Sequence, residues 1–130
     1  ITVDIQVIPV GTYYGDGVWL ECHYGITDWG ARSSPQPYLS LAYKCGAPWN
    51  SSKWCDEELD ELATAAGSEM DHEERVELYH DIQRVFTERG PVVVPYFVEN
   101  LMAYRNSVQP GLTTGAISTA VDVRKVWIEE

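Results

Sequence analysis

Asp56-Glu-Glu-Leu-Asp-Glu-Leu-Ala-Thr-Ala-Ala-Gly67 and Asp71-His-Glu-Glu-Arg-Val-Glu-Leu-Tyr-His-Asp-Ile-Gln-Arg-Val-Phe-Thr-Glu-Arg-Gly-Pro91 carry the pattern that decides the fold. In the first segment Leu59, Leu62, Ala63 and Ala66 recur at spacings of three and four, which places them on one face of an α-helix. Asp56 has the side chain of an N-cap, Glu57 and Glu58 fall in the first turn where the helix dipole favours anions, and Gly67 ends the run. In the second segment Asp71 and Glu74 form a capping-box pattern. Val76, Tyr79, Ile82, Val85 and Phe86 then trace an apolar stripe until Arg89-Gly90-Pro91 stops it. Two helices are predicted.

The charge of the chain is concentrated in the same place. Of 130 residues, 20 are Asp or Glu and 9 are Lys or Arg, a formal charge of −11. From Asp56 to Arg89 twelve acids face only Arg75, Arg84 and Arg89, so −9 of that charge belongs to the helical segment. The acids lie off the apolar stripe, which makes them a solvated outer face sooner than a cation-binding surface. Nucleic acid is excluded as a partner, because phosphate binding needs a basic face and Lys and Arg form no cluster here. With 45% hydrophobic residues and fifteen aromatics the chain has the means to form a core, and residues 1–130 are expected to make a single domain. The longest uncharged apolar stretch, Pro91 to Val98, is far short of the roughly 20 residues of a transmembrane helix.

Around the helices the chain alternates short strands and loops. Ile1 to Val7 alternates in the period-2 manner of a half-buried strand, so the sequence opens inside a structure and is expected to be a piece of a larger chain. Tyr24 to Trp29, Val92 to Val98, Leu101 to Arg105 and Val123 to Ile128 are further predicted strands, Pro37 to Lys44 is a short helix, and Val108 to Val121 is a long connection. Together these predict an α/β fold, a mixed sheet with packed helices.

Catalytic motifs are missing. No Gly-rich phosphate loop, Gly-x-Ser-x-Gly elbow or His-Glu-x-x-His motif occurs, so neither an enzyme nor a cofactor is expected. Ser33-Ser34 and Ser51-Ser52 lack the context that activates a nucleophile. His72 and His80 are eight residues apart and His23 lies elsewhere, so the histidines form no helical metal pair and no metal is expected. Cys45 and Cys55 flank the turn-rich loop Gly46-Ala-Pro-Trp-Asn-Ser-Ser-Lys-Trp54, which a disulfide would close easily; two buried thiols is the alternative, and Cys22 reads as a buried thiol. Nine of the fifteen aromatics fall in the first 54 residues, several of them in Gly- and Pro-rich loops of the kind that line ligand clefts. Trp29-Gly30-Ala31-Arg32-Ser33-Ser34-Pro35, a strand end followed by an irregular loop with one charge, is the leading candidate for presenting a ligand. A carbohydrate-binding or adhesion module would use the same loops. Such modules are typically all-β, so the two helices discriminate between the classes.

The order of motifs resembles the C-terminal part of family 5 extracellular solute-binding proteins, the oligopeptide, dipeptide and nickel receptors of bacterial ABC importers. The residues that carry the resemblance are Thr27 to Leu39, Ser51-Ser-Lys-Trp-Cys-Asp-Glu-Glu-Leu-Asp60, Glu74 to Gln83, Gly90-Pro-Val-Val-Val-Pro-Tyr-Phe97, Leu101-Met-Ala-Tyr-Arg105 and Arg124-Lys-Val-Trp-Ile128. The resemblance implies a fragment of one lobe of a two-lobed, type II-like periplasmic binding protein whose N-terminal lobe lies outside this sequence. It implies a periplasmic or cell-surface location, import of a peptide-like or other small polar solute, and a permease as partner, with membrane contact only through that permease or a lipid anchor. It also implies that Trp29, Gly30, Ala31 and Arg32 face the ligand cleft, with Tyr13 or Tyr14 lining it. Peptide-binding members commonly carry an Asp three residues after the Trp as an anchor for the peptide's amino terminus; here that position is Arg32. Cysteines flanking the loop before Lys-Trp-Cys in some dipeptide-binding relatives favour a Cys45–Cys55 disulfide.

Overall fold

A computed structural model describes residues 2–97, 101, 103–109, 123–124 and 126–129. Residues Ile1–Thr27 and Gln36–Val92 form one compact unit, and Asp28–Pro35 with Val93–Glu130 a second.

The first unit is built on the two predicted helices. Helix α1 (Val18–Glu21) and α2 (Gln36–Tyr38) are short, and α3 (Glu57–Ser68) and α4 (His72–Arg89) are the long pair. Asp56 caps α3 as its composition requires, its Oδ1 accepting from the Leu59 amide at 3.0 Å, and the helix runs one residue past Gly67. Asp71 caps α4 by accepting from the amides of Glu73 and Glu74. The reciprocal bond of the box comes from a different residue: the Asp71 amide donates to Glu69 Oε1 at 2.7 Å. A three-residue link leaves the two helices little choice but to pack as an antiparallel hairpin.

Leu59, Ala63 and Ala66 from α3 meet Ile82 and Val85 from α4, with Leu39 closing the cluster; Leu59, Ala63 and Val85 are fully buried. Burying a Leu- or Val-sized side chain stabilises by roughly 1.5–3 kcal/mol, and the alanines let the helices approach closely. Tyr43 and Trp54 pack edge-on and tilted against Phe86, with ring centroids 4.9 and 6.0 Å away, so these two aromatics belong to the core. Burial, with a smaller contribution from Tyr38, raises the Tyr43 phenol above its ordinary value. The predicted helix over Pro37 to Lys44 is present as α2 continued by a wider π-helical turn, Leu39–Tyr43, closed by the Lys44 amide on the Leu39 carbonyl at 3.0 Å.

The strand expectations fare differently. None of the described residues in Ile1 to Val7, Tyr24 to Trp29, Val92 to Val98 or Leu101 to Arg105 joins a ladder. Val3, Ile5 and Val7 are 71%, 81% and 93% exposed, the polar residues between them are exposed as well, and among the described residues no neighbouring strand pairs with this segment. Among the described residues of Val123 to Ile128, which leave out Lys125, only Trp127–Ile128 (β2) pairs, antiparallel to Val108–Gln109 (β1), with Val108 opposite Ile128 and Gln109 opposite Trp127. The rest of the expected connection, from residue 110 to 121, lies outside the described residues, as do Ile1, Val98 and Met102.

Candidate functional site

The candidate residues are divided between the two units: Tyr13 and Tyr14 lie in the first, and Trp29, Gly30, Ala31 and Arg32 in the second. Within the first unit, Tyr13 and Tyr14 occupy the π-helical turn Gly11–Gly15. Their rings meet edge to face at 5.0 Å, and Tyr14 continues to Trp19 at 5.9 Å. The Tyr13 hydroxyl is shared with Thr27 Oγ1 at 2.9 Å. Glycine at position 25 makes room for that bond, since a Cβ there would lie 2.6 Å from the Tyr13 hydroxyl and 2.8 Å from Cys22 Sγ. Tyr13 is thereby held from two sides, while Tyr14 keeps 36% of its surface exposed. Neither Thr27 nor Gly25 carried a signal in the sequence that would have tied it to Tyr13.

In the second unit Arg32 folds back on its own loop. Its Nη1 donates to the carbonyls of Gly30 at 3.1 Å and Ala31 at 3.2 Å. A Cβ on residue 30 would sit 3.3 Å from that nitrogen, so the missing side chain of Gly30 is part of the arrangement. Among the described residues no carboxylate pairs with Arg32, whereas Lys53, Arg84 and Arg89 all have acidic partners.

Cys45 and Cys55 are joined by a disulfide, with Cα atoms 4.5 Å apart. The loop between them has a second brace that sequence inspection missed. Asn50, 5% exposed, donates Nδ2 to the carbonyls of Lys44 at 3.2 Å and Trp54 at 2.7 Å, and its Oδ1 accepts from Ser52 Oγ at 2.7 Å. Asp60, one turn into α3, accepts the Cys45 amide at 3.1 Å. Beside this loop lies a hollow of about 280 Å³ lined by Gly46, Ala47, Pro48, Asn50 and Lys53, and a more open one of about 510 Å³ lies over Asp60, Glu61, Thr64 and Ala65. Neither includes a candidate ligand residue.

Cys22 is a free, half-buried thiol. His23, His72 and His80 are all exposed, His72 beside Arg75 and His80 beside Glu77. Among the described residues no three His, Cys, Asp or Glu side chains converge as a metal site would require, and no helix is long and apolar enough to cross a membrane.

Comparison with known proteins finds local likeness to peptide-binding proteins. The chain is 31% identical over 83 residues to Di/tripeptide-binding protein 4 of Pseudomonas aeruginosa, a match covering 62% of this chain and 16% of that protein. It is 35% identical over 65 residues to Di/tripeptide-binding protein 3 of the same organism, covering 48% and 12%. Against the Dipeptide-binding protein of Escherichia coli the identity is 31% over 68 residues, covering 50% and 13%. The matched region is thus less than a fifth of the length of these relatives, all of which are named for binding and none for catalysis. No protein-family profile matches the chain, and no solved structure matches it.

Proposed function

We propose that this chain is part of the substrate-binding component of an ABC importer and takes part in capturing a peptide-like or other small polar solute. The observation that carries the reading is the 31–35% identity, over 65–83 residues, to proteins named for binding dipeptides and tripeptides. The order of motifs from Thr27 to Phe97 supports the same reading. On this proposal residues 1–130 are one α/β lobe fragment of a larger, two-lobed receptor working in the periplasm or at the cell surface. Its partners are the other lobe and a permease. Apolar segments such as Ile5 and Val7, which alternate as a strand does and stand exposed, would then complete a mixed sheet with that remainder.

Trp29, Gly30, Ala31 and Arg32 are the proposed ligand loop, with Tyr13 or Tyr14 proposed as a further aromatic contact to the solute. The α3–α4 hairpin counts against a carbohydrate-binding module, the competing assignment for loops rich in Trp and Tyr. A thermal-shift series on the full-length protein carrying this sequence, run with Ala-Ala, tri-alanine, maltose and acetate, tests the proposal. Stabilisation by the peptides, and its loss in Trp29→Ala, is the expected result. Stabilisation by maltose alone would overturn it.

A further inference from the structure

The loop Trp29–Arg32 holds one cation in a defined pose. Nη1 of Arg32 lies against the carbonyls of Gly30 and Ala31, a pair of bonds that orients the whole planar guanidinium. The side chain is exposed. Its remaining donors, Nε and Nη2, make no hydrogen bond among the described residues, and no acid neutralises the group there. Nε–H and Nη2–H point in the same direction along one edge of the guanidinium, at the spacing of the two oxygens of a carboxylate. A flexible surface arginine pays entropy to bring that fork to a ligand; here the loop's own carbonyls have already restricted it.

We propose that the Nε/Nη2 edge of Arg32 is a receptor for a carboxylate, so that the loop selects solutes bearing a free carboxyl group. Gly30 is its positioning residue, because any side chain at that position crowds Nη1. The inference rests on the solute-binding reading above and deepens it by naming the group recognised. A chain of net charge −11 disfavours anions at long range, so the selection acts at contact distance, where salt screens it least.

The test is titration calorimetry of the full-length protein with two probes, Ala-Ala and Ala-Ala amide, which differ only in the carboxylate. Wild type is expected to bind the acid about ten- to a hundred-fold more tightly than the amide, as for a charge-assisted hydrogen bond. Arg32→Gln is expected to bring the two affinities together by weakening the acid alone, and Arg32→Lys, which keeps the charge without the fork, to fall between. Gly30→Ala should reduce the preference with the charge intact. Equal affinities in wild type, or a preference that survives in Arg32→Gln, would overturn the inference while leaving peptide binding in place. Failure of both probes, and of tri-alanine, to bind wild type would overturn the peptide reading and this inference with it.

Discussion

Arg89, in the last turn of α4, donates Nε to Oδ2 of Asp56, the N-cap of α3, at 2.6 Å across 33 residues of sequence. The same carboxylate accepts the Leu59 amide through Oδ1, so one side chain both starts one helix and secures the end of the other. Arg89 also reaches Glu58. The hydrogen bond from Arg89, followed by that from the Leu59 amide, holds the Asp56 carboxyl below the usual carboxylate range. The two acids in turn raise the Arg89 guanidinium above its already high ordinary value.

A pH dependence follows from the direction of the Asp56 shift. A depressed pKa in the folded state contributes stability that is fully present above the unfolded value, about 3.9, and is lost as pH falls through the folded one. Asp56→Asn keeps a capping oxygen but not the charge. Its urea midpoint is expected to lie below that of wild type at pH 6, and the gap should shrink below about pH 4. Asp56→Ala, lacking both, should unfold earlier than Asp56→Asn at pH 6. A gap of constant size from pH 6 to pH 3 would show that the ion pair contributes nothing.

What could be read in advance was whatever depends on near neighbours in sequence. Asp56 and Asp71 cap helices with amides two and three residues away, and the apolar stripe of α4 needs only the helical period. The predicted strands other than Val123 to Ile128, of which Trp127–Ile128 pairs, form no ladder among the described residues, for the opposite reason. Alternation at Val3, Ile5 and Val7 describes a face, but a strand exists only when a second strand pairs with it, and composition does not report where that partner is. The Arg89–Asp56 pair, Gln36 between α3 and α4, and Asn50 inside the disulfide loop are likewise joins between distant or irregular segments. At the candidate site, the sequence from Trp29 to Arg32 reads as a loop with one charge. The folding of Arg32 onto the Gly30 and Ala31 carbonyls depends on backbone angles that residue types alone do not set.

Gly67 and Gln36 are coupled. Gln36 Nε2 donates to the Ala63 carbonyl at 3.0 Å and its Oε1 accepts from the Tyr79 hydroxyl at 3.4 Å, which ties α2 to both long helices. A Cβ at Gly67 would stand 2.8 Å from Gln36 Nε2. In an otherwise free helix Gly→Ala stabilises by up to about 1 kcal/mol. In wild type Gly67→Ala is expected to be neutral or destabilising, because the displaced amide gives up bonds worth roughly 1 kcal/mol each. In the Gln36→Ala background the same change should stabilise. A double-mutant cycle in urea measures the coupling, and additive effects would contradict it.

Lys53 is the single described non-glycine residue with a positive φ, at 56°. A left-handed backbone costs an L-residue roughly 1–2 kcal/mol, less for Asn, whose short side chain bonds locally. The ion pair of Lys53 with Glu21, at 3.3 Å, joins two well exposed side chains and returns little. Lys53→Asn and Lys53→Gly are therefore expected to raise stability by up to about 1 kcal/mol. Denaturant titration of the two variants beside Glu21→Gln separates relief of the backbone from loss of the pair.

The loop closed by Cys45 and Cys55 should keep its shape when the disulfide is reduced. Cross-linking a loop of ten residues stabilises by roughly 2–3 kcal/mol in the chain-entropy account, and that contribution acts mainly on the unfolded chain. In the folded chain the loop is held by Asn50, which bonds the carbonyls of Lys44 at one end and Trp54 at the other, and by Asp60 on the Cys45 amide. Reduction removes none of these bonds. Asn50→Ala would take from the Trp54 carbonyl its side-chain donor, at about 1–3 kcal/mol if water cannot reach it, while the Lys44 carbonyl keeps the Ala47 amide and the Ser52 hydroxyl keeps the Trp54 amide. Asn50→Asp would be worse, since it sets a carboxylate against two carbonyl oxygens. Dithiothreitol is thus expected to lower the urea midpoint of wild type while leaving the indole N–H resonance of Trp54 in place, because that ring stays packed on Phe86. Asn50→Ala with the disulfide intact should shift the resonance and loosen the loop to limited proteolysis. If reduction alone moved Trp54, the covalent bond rather than Asn50 would be what holds this loop against the core.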